Sequence, residues 1–270
     1  MRFMFWNTGR QHLQTTLARL VTIHNVDVLA LAECVIPDSD FLAEVQRLGS
    51  RGFDAVATRS NLRLYVRSGR GYLKLLLEGS RYTIHQWEME AGVPIIFAAA
   101  HLPSKANSSP ASIGYECVAL ADAIRQAESD AGHQRSVLVG DLNLNPYEDG
   151  LVAARALHSV PTRTLAAGGN RVVQGVSYPM FYNPMWNFFG DETSGPPGTF
   201  FRRGSEQISE FWNMYDQVLV RPELLPRFAF AELRILTDDG VDTLQTQQGR
   251  PSIAMASDHF PIMFQLNLEQ

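Results

Sequence analysis

Short apolar runs separated by turn residues constrain this chain more than any other feature. Runs of the strand type, bounded by Gly, Pro or polar residues, recur along the chain as RFMFW, VDVLALAE, FDAVAT, LRLYVR, YLKLLLE, YTIHQWEM, PIIFAAAH, SVLVGD, DQVLV, FAFAELRIL and FPIMFQL. Helical spacing of apolar residues occurs at 11–24, in FLAEVQRL, at 110–131 and from about Tyr147 to Leu157. This mixture predicts an α/β sandwich with mixed sheets rather than a doubly wound parallel fold. Residues 160–210, rich in Gly, Pro, Asn and aromatics, predict long loops.

Length and composition favour one domain over residues 1–270. That length lies near the upper limit for a single hydrophobic core. Hydrophobic residues make up 45% of the chain and charged residues 19%, which excludes general disorder. The net charge of −5 argues against a general nucleic-acid coat, so any nucleic-acid contact requires a local basic patch. Cys34 and Cys117 form neither a disulfide framework nor a zinc site.

Targeting and membrane signals are not recognisable in the sequence. The N-terminal MRFMFWN is too short and too soon polar for a signal peptide, and no apolar run reaches the roughly 18 residues of a membrane span. We therefore expect a cytoplasmic protein without a membrane partner. The sequence indicates no obligate protein partner.

Polar side chains stand at the ends of many of the apolar runs. In SVLVGDLNLNP, residues 136–146, Asp141 and Asn143 follow the run and Pro146 ends it. Alternate residues of an extended chain point to the same side, so both side chains would reach one ligand. Other runs carry such groups at their ends: Asn7, Glu33, His101, Asp216, Asp258 and His259. In a sandwich of two sheets, these ends can converge on one edge.

Each of these residues also has an ordinary explanation when it is taken alone. Asn7 can begin a turn, and His101 can be a hydrogen-bonded core histidine. Asp141 and Asn143 can form an Asx turn. Together, however, carboxylate and carboxamide oxygens are the ligands that Mg²⁺ or Mn²⁺ prefers, and nearby histidines can carry protons or contact phosphate. The combination predicts metal-assisted attack of water on a phosphate ester.

The ordered motifs FWN, LALAE, AAAHLP, LVGDLNLNP, YDQVLV and ASDHFPI resemble the endonuclease/exonuclease/phosphatase superfamily, from residue 3 to about 266. Its members include deoxyribonuclease I, abasic-site endonucleases, neutral sphingomyelinases and inositol-polyphosphate 5-phosphatases. The most specific part is GD-x-N followed much later by SDH. The resemblance implies a deoxyribonuclease I-like, four-layered α/β/β/α sandwich of two mixed sheets, with the site at one edge of the sheets.

The resemblance also implies a Mg²⁺ or Mn²⁺ cofactor and a set of metal ligands. Glu33 corresponds to the principal ligand of the ion, and Asn7 lies close to it. Asp258 corresponds to a further carboxylate on the metal side.

Five further residues receive catalytic roles from the resemblance. Asp141 corresponds to the aspartate that orients or deprotonates the attacking water, and Asn143 to the residue that holds the phosphate or that aspartate. His259 corresponds to the histidine that contacts the scissile phosphate, oriented by Asp216. His101 corresponds to a histidine that contacts phosphate or assists the leaving group.

Two departures from the family pattern concern individual branches. Some nucleases of the family brace the histidine of the HL motif with an upstream glutamate; Glu88 and Glu90 are present, but the sequence places neither one there. The segment LNPYEDG does not reproduce the further signature of the 5-phosphatases, which disfavours inositol-phosphate hydrolysis.

Basic residues near the proposed site are the candidates for substrate binding. Residues 178–203 place aromatic side chains near Arg202 and Arg203, which would stack bases and grip phosphates or only buttress a loop. Lys105, after HLPS, is a candidate phosphate contact. A second group predicts either a basic stripe for nucleic acid or solvated strand surface: Arg59, Arg63, Arg67, Arg70 and Arg81.

Three functions are compatible with these observations. The leading hypothesis is a Mg²⁺-dependent phosphodiesterase that acts on DNA or RNA, a nuclease. A phosphomonoesterase or small-molecule phosphodiesterase comes second, favoured by the acidic pI of about 5.8. A non-catalytic member that only binds a partner comes third, because such a module has no need for the whole set of polar residues at the strand ends.

Overall fold

Strands dominate the computed structural model, which describes residues 1–50, 52–89, 92–205 and 207–269. In chain order the strands are β1 (Arg2–Asn7), β2 (Val28–Ala32), β3 (Phe53–Val56), β4 (Leu62–Arg67), β5 (Tyr72–Glu78), β6 (Tyr82–Glu88), β7 (Ile95–His101), β8 (Ser136–Asp141), β9 (Ser159–Val160), β10 (Asn170–Val173), β11 (Val176–Pro179), β12 (Phe181–Tyr182), β13 (Phe200–Phe201), β14 (Trp212–Asn213), β15 (Asp216–Val220), β16 (Arg234–Ile235) and β17 (Ile262–Gln265). The α-helices are α1 (Gln14–Ile23), α2 (Asp38–Arg47), α3 (Pro110–Ala131), α4 (Asp149–Val152) and α5 (Arg163–Ala166).

Two large mixed sheets form the centre of the fold. The six-stranded sheet has the order β16-β17-β1-β2-β4-β3, and the seven-stranded sheet has the order β5-β6-β7-β8-β15-β12-β9. In the first sheet β1 pairs parallel with β2 and antiparallel with β17. In the second, β7 pairs parallel with β8 and antiparallel with β6. The predicted α/β fold with two mixed sheets is confirmed.

Alternation along the strands builds two apolar cores. In β7, Phe97 and Ala99 belong to the core between the two sheets, whereas Ala98 and Ala100 face a second core on the other side of the seven-stranded sheet. The rings of Phe3 and Phe97 stack across the first core with centroids 5.6 Å apart. The first core also includes residues on the other face of the six-stranded sheet, where helices α1 and α2 contribute to it, whereas α3 contributes to the second core. The layers are therefore helices, sheet, sheet, helix, because each sheet must cover both of its faces.

Helix α3 shows how local sequence sets the boundaries of an element. Ser109 caps its start by accepting a hydrogen bond from the backbone N–H of Ser112 at 3.2 Å, and Pro110 occupies the first turn. Gly132 ends the helix in the left-handed conformation, with φ 71°. The helix predicted at 110–131 is confirmed.

Three local predictions differ from the structure. The helix expected from Tyr147 to Leu157 contains only the four residues of α4. FAFAELRIL forms a 3₁₀ turn and the two-residue strand β16 instead of one long strand. Residues 160–210 are mainly loops but include the hairpin β10–β11. No helix within the described ranges is long and apolar enough to cross a membrane.

Candidate active site

Three adjacent strands of the seven-stranded sheet bring their polar ends together. In the register of β7, β8 and β15, His101 lies beside Asp141, and Asp216 lies beside Asp141 on the other side. Neighbouring strands are about 4.8 Å apart, so these three side chains start from adjacent positions on one edge. The convergence predicted from the strand ends is present in the structure.

The six-stranded sheet adds Asn7 and Glu33 to the same edge. Asn7 ends β1 beside the last residue of β2, and Glu33 follows that residue directly. The amide Nδ2 of Asn7 donates a hydrogen bond of 2.9 Å to Oδ2 of Asp141. Ser257 Oγ donates to the carbonyl of Asn7 at 2.8 Å. Asn7 therefore connects the two sheets at the aspartate.

Asn143 reaches the site through an Asx turn and not along an extended strand. The chain is not extended beyond Asp141, because Asn143 has φ 50°. Its backbone N–H donates to Oδ1 of Asp141 at 3.0 Å, which is an Asx turn, and its Nδ2 donates to the carbonyl of Leu102 at 2.9 Å. Asp141 and Asn143 nevertheless line one cavity. The expected convergence occurs, but the expected strand geometry was wrong.

Glu33 is held in a conformation that is unusual for a residue with a side chain. Its φ is 50°, in the left-handed region. Two groups fix its carbonyl: Thr8 Oγ1 donates to it at 2.9 Å and the backbone N–H of Arg10 at 3.1 Å. The Nε of Arg10 also lies 3.2 Å from Oε2 of Glu33. Such strain is found mainly at functional sites, where the surrounding structure maintains it.

His259 and Asp216 form a buried pair. Nδ1 of His259 lies 2.7 Å from Oδ2 of Asp216, and neither residue exceeds 7% exposure. Burial disfavours the imidazolium, but the carboxylates of Asp216, Asp141 and Asp258 outweigh it and raise the pKa of His259 to about 10. Burial raises the pKa of Asp216, while the charge of His259 acts in the opposite direction. We place the proton on His259, since three carboxylates surround it.

Two histidines approach the same oxygen of Asp141. Nε2 of His101 lies 3.7 Å from Oδ2 of Asp141, and Nε2 of His259 lies 3.9 Å from it. His101 Nε2 is also 3.7 Å from Oε1 of Glu33. Two imidazoles therefore flank one carboxylate.

Asp258 stands close to the loop that follows β1. A Cβ on Gly9 would lie 2.9 Å from Oδ1 of Asp258, so only glycine fits there without a shift. Ser257 Oγ is 3.5 Å from the same carboxylate oxygen and accepts a hydrogen bond from the backbone N–H of His259 at 3.2 Å. The turn before β17 is thus fixed against the end of β1.

These residues line one cavity of about 190 Å³ together with basic and aromatic side chains. Seven of the eight predicted catalytic and metal-binding residues line it. The eighth, Asp216, lies fully buried behind His259. Lys105 and Arg202 line it as well. Arg203 does not, and it lines an adjoining cavity instead.

The donor atoms of this cavity fit a hard divalent cation. Glu33 and Asp258 supply carboxylate oxygens and Asn7 a carboxamide oxygen, the groups that suit Mg²⁺ or Mn²⁺. Asp141, Asp216 and His259 form a second grouping, with ligand atoms all within 4.8 Å of one another. Asp216 and His259 already share a hydrogen bond of 2.7 Å, which occupies one possible ligand atom on each of them. Glu33 and Asp258, which face the cavity, therefore fit a divalent ion better than this second grouping does.

Several neighbours of the site were missed at the sequence level. Trp6 Nε1 donates to the carbonyl of His259 at 2.8 Å, and Thr199 Oγ1 accepts from the backbone N–H of Asp216 at 3.1 Å. The ring of Phe200 lies 4.8 Å from that of His259. Trp6 stands in the FWN motif, which is the one signal that could have indicated it.

The arginine cluster of the hairpin region does not form one basic stripe. Arg67, at 6% exposure, is buried and donates to the carbonyls of Val26 at 2.8 Å and Val21 at 3.0 Å. Arg63 is half-exposed and pairs with Asp38 at 3.1 Å. Arg67 therefore contributes neither to a basic stripe nor to solvated strand surface, the two alternatives that the sequence offered.

Glu88, one of the two upstream glutamates, lies away from His101. Glu88 pairs in register with Tyr72, at the end of β6 opposite to that of His101, and does not brace this histidine. Glu90 lies outside the described residues.

A model of the endonuclease/exonuclease/phosphatase family matches residues 4–259. The chain belongs to this family. The family consists in general of hydrolytic enzymes that act on phosphate esters. No curated protein matches the sequence.

Solved structures of the family share the fold at low identity. The human Nocturnin catalytic domain, with a bound sulfate, is 14% identical, with a TM-score of 0.58 over 99% of this chain and 94% of that one. The 3′ phosphatase NExo from Neisseria, bound to a product DNA hairpin, is 16% identical, with a TM-score of 0.57 over 98% and 99%. TDP2 from D. rerio, complexed with a single-strand DNA product, is 15% identical, with a TM-score of 0.56 over 98% and 97%.

Proposed function

We propose that this protein is a Mg²⁺- or Mn²⁺-dependent phosphodiesterase that acts on nucleic acid. The observation that carries the proposal is the position of Asp141, whose Oδ2 accepts from Asn7 at 2.9 Å and has His101 and His259 within 4 Å. A carboxylate at this point can hold a water molecule and accept its proton.

The proposed metal ligands are Glu33, Asn7 and Asp258. A divalent ion held there would neutralise the charge of a phosphate and polarise its P–O bond. Asp141 would orient and deprotonate the attacking water. Asn143, whose amide is fixed by Leu102, would hold the phosphate or Asp141.

The histidines would act on the phosphate oxygens. His259 carries its proton because of Asp216, so its Nε2–H can donate to a non-bridging oxygen as negative charge accumulates there. His101, half-buried at the edge of the cavity, would contact the phosphate or protonate the departing oxygen. Water supplies the new P–O bond, and one ester bond to the leaving group breaks.

Nucleic acid is the favoured substrate because cations surround an acidic centre. Lys105 and Arg202 line the central cavity, and Arg203 lines the cavity beside it. Two of the structural neighbours are described with bound DNA products. A phosphomonoesterase or small-molecule phosphodiesterase is the alternative, and a non-catalytic role is less well supported.

Hydrolysis assays with a matched variant test this proposal. Single- and double-stranded DNA, RNA, a chromogenic diester and small phosphomonoesters would be offered with Mg²⁺ and with Mn²⁺. We expect the nucleic acids to be cleaved and Asp141→Asn to lose at least about 100-fold in kcat. Asp130→Asn, on the exposed end of α3, is the control and should behave as wild type.

Two results would contradict the proposal. Activity that persists in Asp141→Asn would remove this residue from its role, provided that the melting temperature is unchanged. Release of phosphate from monoesters alone would make the protein a phosphatase with the same fold.

A further inference from the structure

Three connected cavities cross the proposed active centre. The central cavity of about 190 Å³ shares Glu33 and His101 with a larger one of about 720 Å³. On its other side it shares Lys105, Arg202 and Tyr215 with one of about 280 Å³. We name the larger neighbour the arginine arm, after its cations Arg10, Arg63 and Arg81, and the smaller one the tyrosine arm, after Tyr215.

Charge is distributed unequally along the three connected cavities. The proposed metal ligands and Asp141 place the carboxylates in the centre. The arginine arm contributes three cations and two carboxylates, those of Glu33 and Asp38. The tyrosine arm contributes three cations and one carboxylate, that of Glu210. In a protein of net charge −5, this arrangement suits a ligand with negative charges on both sides of the central phosphate.

Arg81 occupies a defined place in the arginine arm. Its carbonyl accepts a hydrogen bond from the backbone N–H of His101 at 2.8 Å, so it lies beside the end of β7. Two strand spacings, about 10 Å, separate it from Asp141 along the sheet edge. Within the part of the chain that the structure describes, its side chain has no hydrogen bond or ion pair. A guanidinium in this position can contact the phosphate next to the scissile one.

The wall of the arginine arm is fixed by a second arginine. Arg63 Nη1 lies 3.1 Å from Oδ1 of Asp38, which also accepts a hydrogen bond from the hydroxyl of Tyr65 at 2.8 Å. The Arg63 side chain remains 46% exposed toward the groove. Small residues at 55, 57, 58 and 60 line part of the wall.

The tyrosine arm combines cations with aromatic faces. Lys105 Nζ lies 2.6 Å from Oε1 of Glu148 and 5.3 Å from the centroid of the Tyr215 ring. Phe211 is 48% exposed in the same cavity, and Arg203 is exposed. Rings beside cations are the combination that holds unpaired bases and their phosphates.

We propose that the enzyme binds a single-stranded nucleic acid with nucleotides in both arms and cleaves an internal phosphodiester bond. This inference rests on the proposed function and specifies its substrate. A terminal phosphate would occupy the centre and only one arm. Both arms are open to solvent, so a strand can continue beyond each of them. Water adds to phosphorus, the bond to one sugar oxygen breaks, and the products are a strand ending in phosphate and a strand ending in hydroxyl.

Circular substrates separate internal from terminal cleavage. Circles of single-stranded DNA and of RNA have no ends, so we expect the enzyme to linearise at least one of them and to leave a relaxed duplex circle intact. Circles that survive while linear strands shorten from their ends would overturn the inference but leave the proposed function standing. Failure to hydrolyse any diester would instead overturn the proposed function.

Binding measurements test the two arms independently of turnover. In the Asp141→Asn background, Arg81→Gln and Arg203→Gln should each weaken the binding of a fluorescent single-stranded oligonucleotide about tenfold, measured by anisotropy. Arg171→Gln, on the exposed hairpin β10–β11, is the matched control and should bind as the parent does. Normal binding by either arm variant would show that the chain does not occupy that arm.

Discussion

At the residue scale, the chemistry of the candidate site comes from what surrounds each group. Asp141 is an ordinary aspartate in sequence, but here it is 1% exposed, accepts hydrogen bonds from Asn7 and Asn143, and faces two imidazoles. Fixed donors of this kind hold the carboxylate in one orientation. The roles of these residues remain predictions, and single substitutions test them.

Replacing Glu33 by Gln should weaken the binding of the metal. The substitution keeps the size of the side chain but removes the charge that faces the cavity. We expect at least about tenfold more Mg²⁺ to be needed for half-maximal activity, since even indirect partners of a metal change affinity by 10- to 100-fold. The Mg²⁺-induced rise in melting temperature gives a readout that does not depend on turnover. An unchanged titration would exclude Glu33; Glu192→Gln, in an exposed loop, is the control.

His85 should make the protein less stable in mild acid. It is fully buried in β6, its Nε2 lies 2.7 Å from Thr83 Oγ1, and burial lowers its pKa from 6.5 to about 4. As the pH falls through 6.5, the unfolded chain binds a proton that the folded chain does not, so stability decreases until about pH 4. The loss amounts to about 3 kcal/mol.

Urea unfolding at pH 7 and at pH 4 measures this contribution. His85→Gln should lose about 3 kcal/mol less than wild type between the two pH values. His12→Gln, at an exposed position, should lose as much as wild type. The same loss in both variants would mean that His85 does not titrate as we expect.

At the element scale, the site depends on the close approach of β7 and β8. A Cβ on Gly140 would lie 2.0 Å from the carbonyl oxygen of Ala100 on the neighbouring strand. The parallel pair can therefore hold His101 beside Asp141 only if residue 140 has no side chain.

Gly140→Ala should destabilise the protein and disturb the site. Moving one strand away from the other costs about 1–3 kcal/mol, and His101 and Asp141 shift with it. Gly114→Ala is the matched control, because nothing lies within 4 Å of a Cβ at that position of α3 and alanine favours a helix by about 0.5–1 kcal/mol. Equal stabilities of the two variants in urea would contradict this account.

At the scale of the whole molecule, cations are concentrated around an acidic centre although the net charge is −5. If several of them contact phosphates, cleavage of a single strand should weaken steeply with salt, because each contact contributes about −0.7 to the slope of log affinity against log salt. Three contacts therefore predict a slope of about −2 for kcat/KM. A slope near zero would favour a small phosphate ester as the substrate.

The sequence by itself determined the fold class and indicated which residues meet at the candidate site. Alternating apolar runs define strands without reference to the rest of the chain, and their register requires the polar residue at each end to lie at the sheet edge. For this reason the pattern, together with the family resemblance, predicted that Asn7, Glu33, His101, Asp141 and His259 lie together. The segments at 147–157 and 228–236 were mispredicted because short apolar patterns do not distinguish helix, strand and turn.

Only the tertiary structure decided how these residues meet. The hydrogen bond of the Asn143 amide to Leu102, the buried pair of His259 with Asp216 and the removal of Arg67 from the surface all depend on residues far away in the chain. So do the arms on either side of the centre, which arise where loops of both sheets enclose space. Sequence periodicity reports which face of an element is buried, but distances between side chains exist only once the two sheets have packed together.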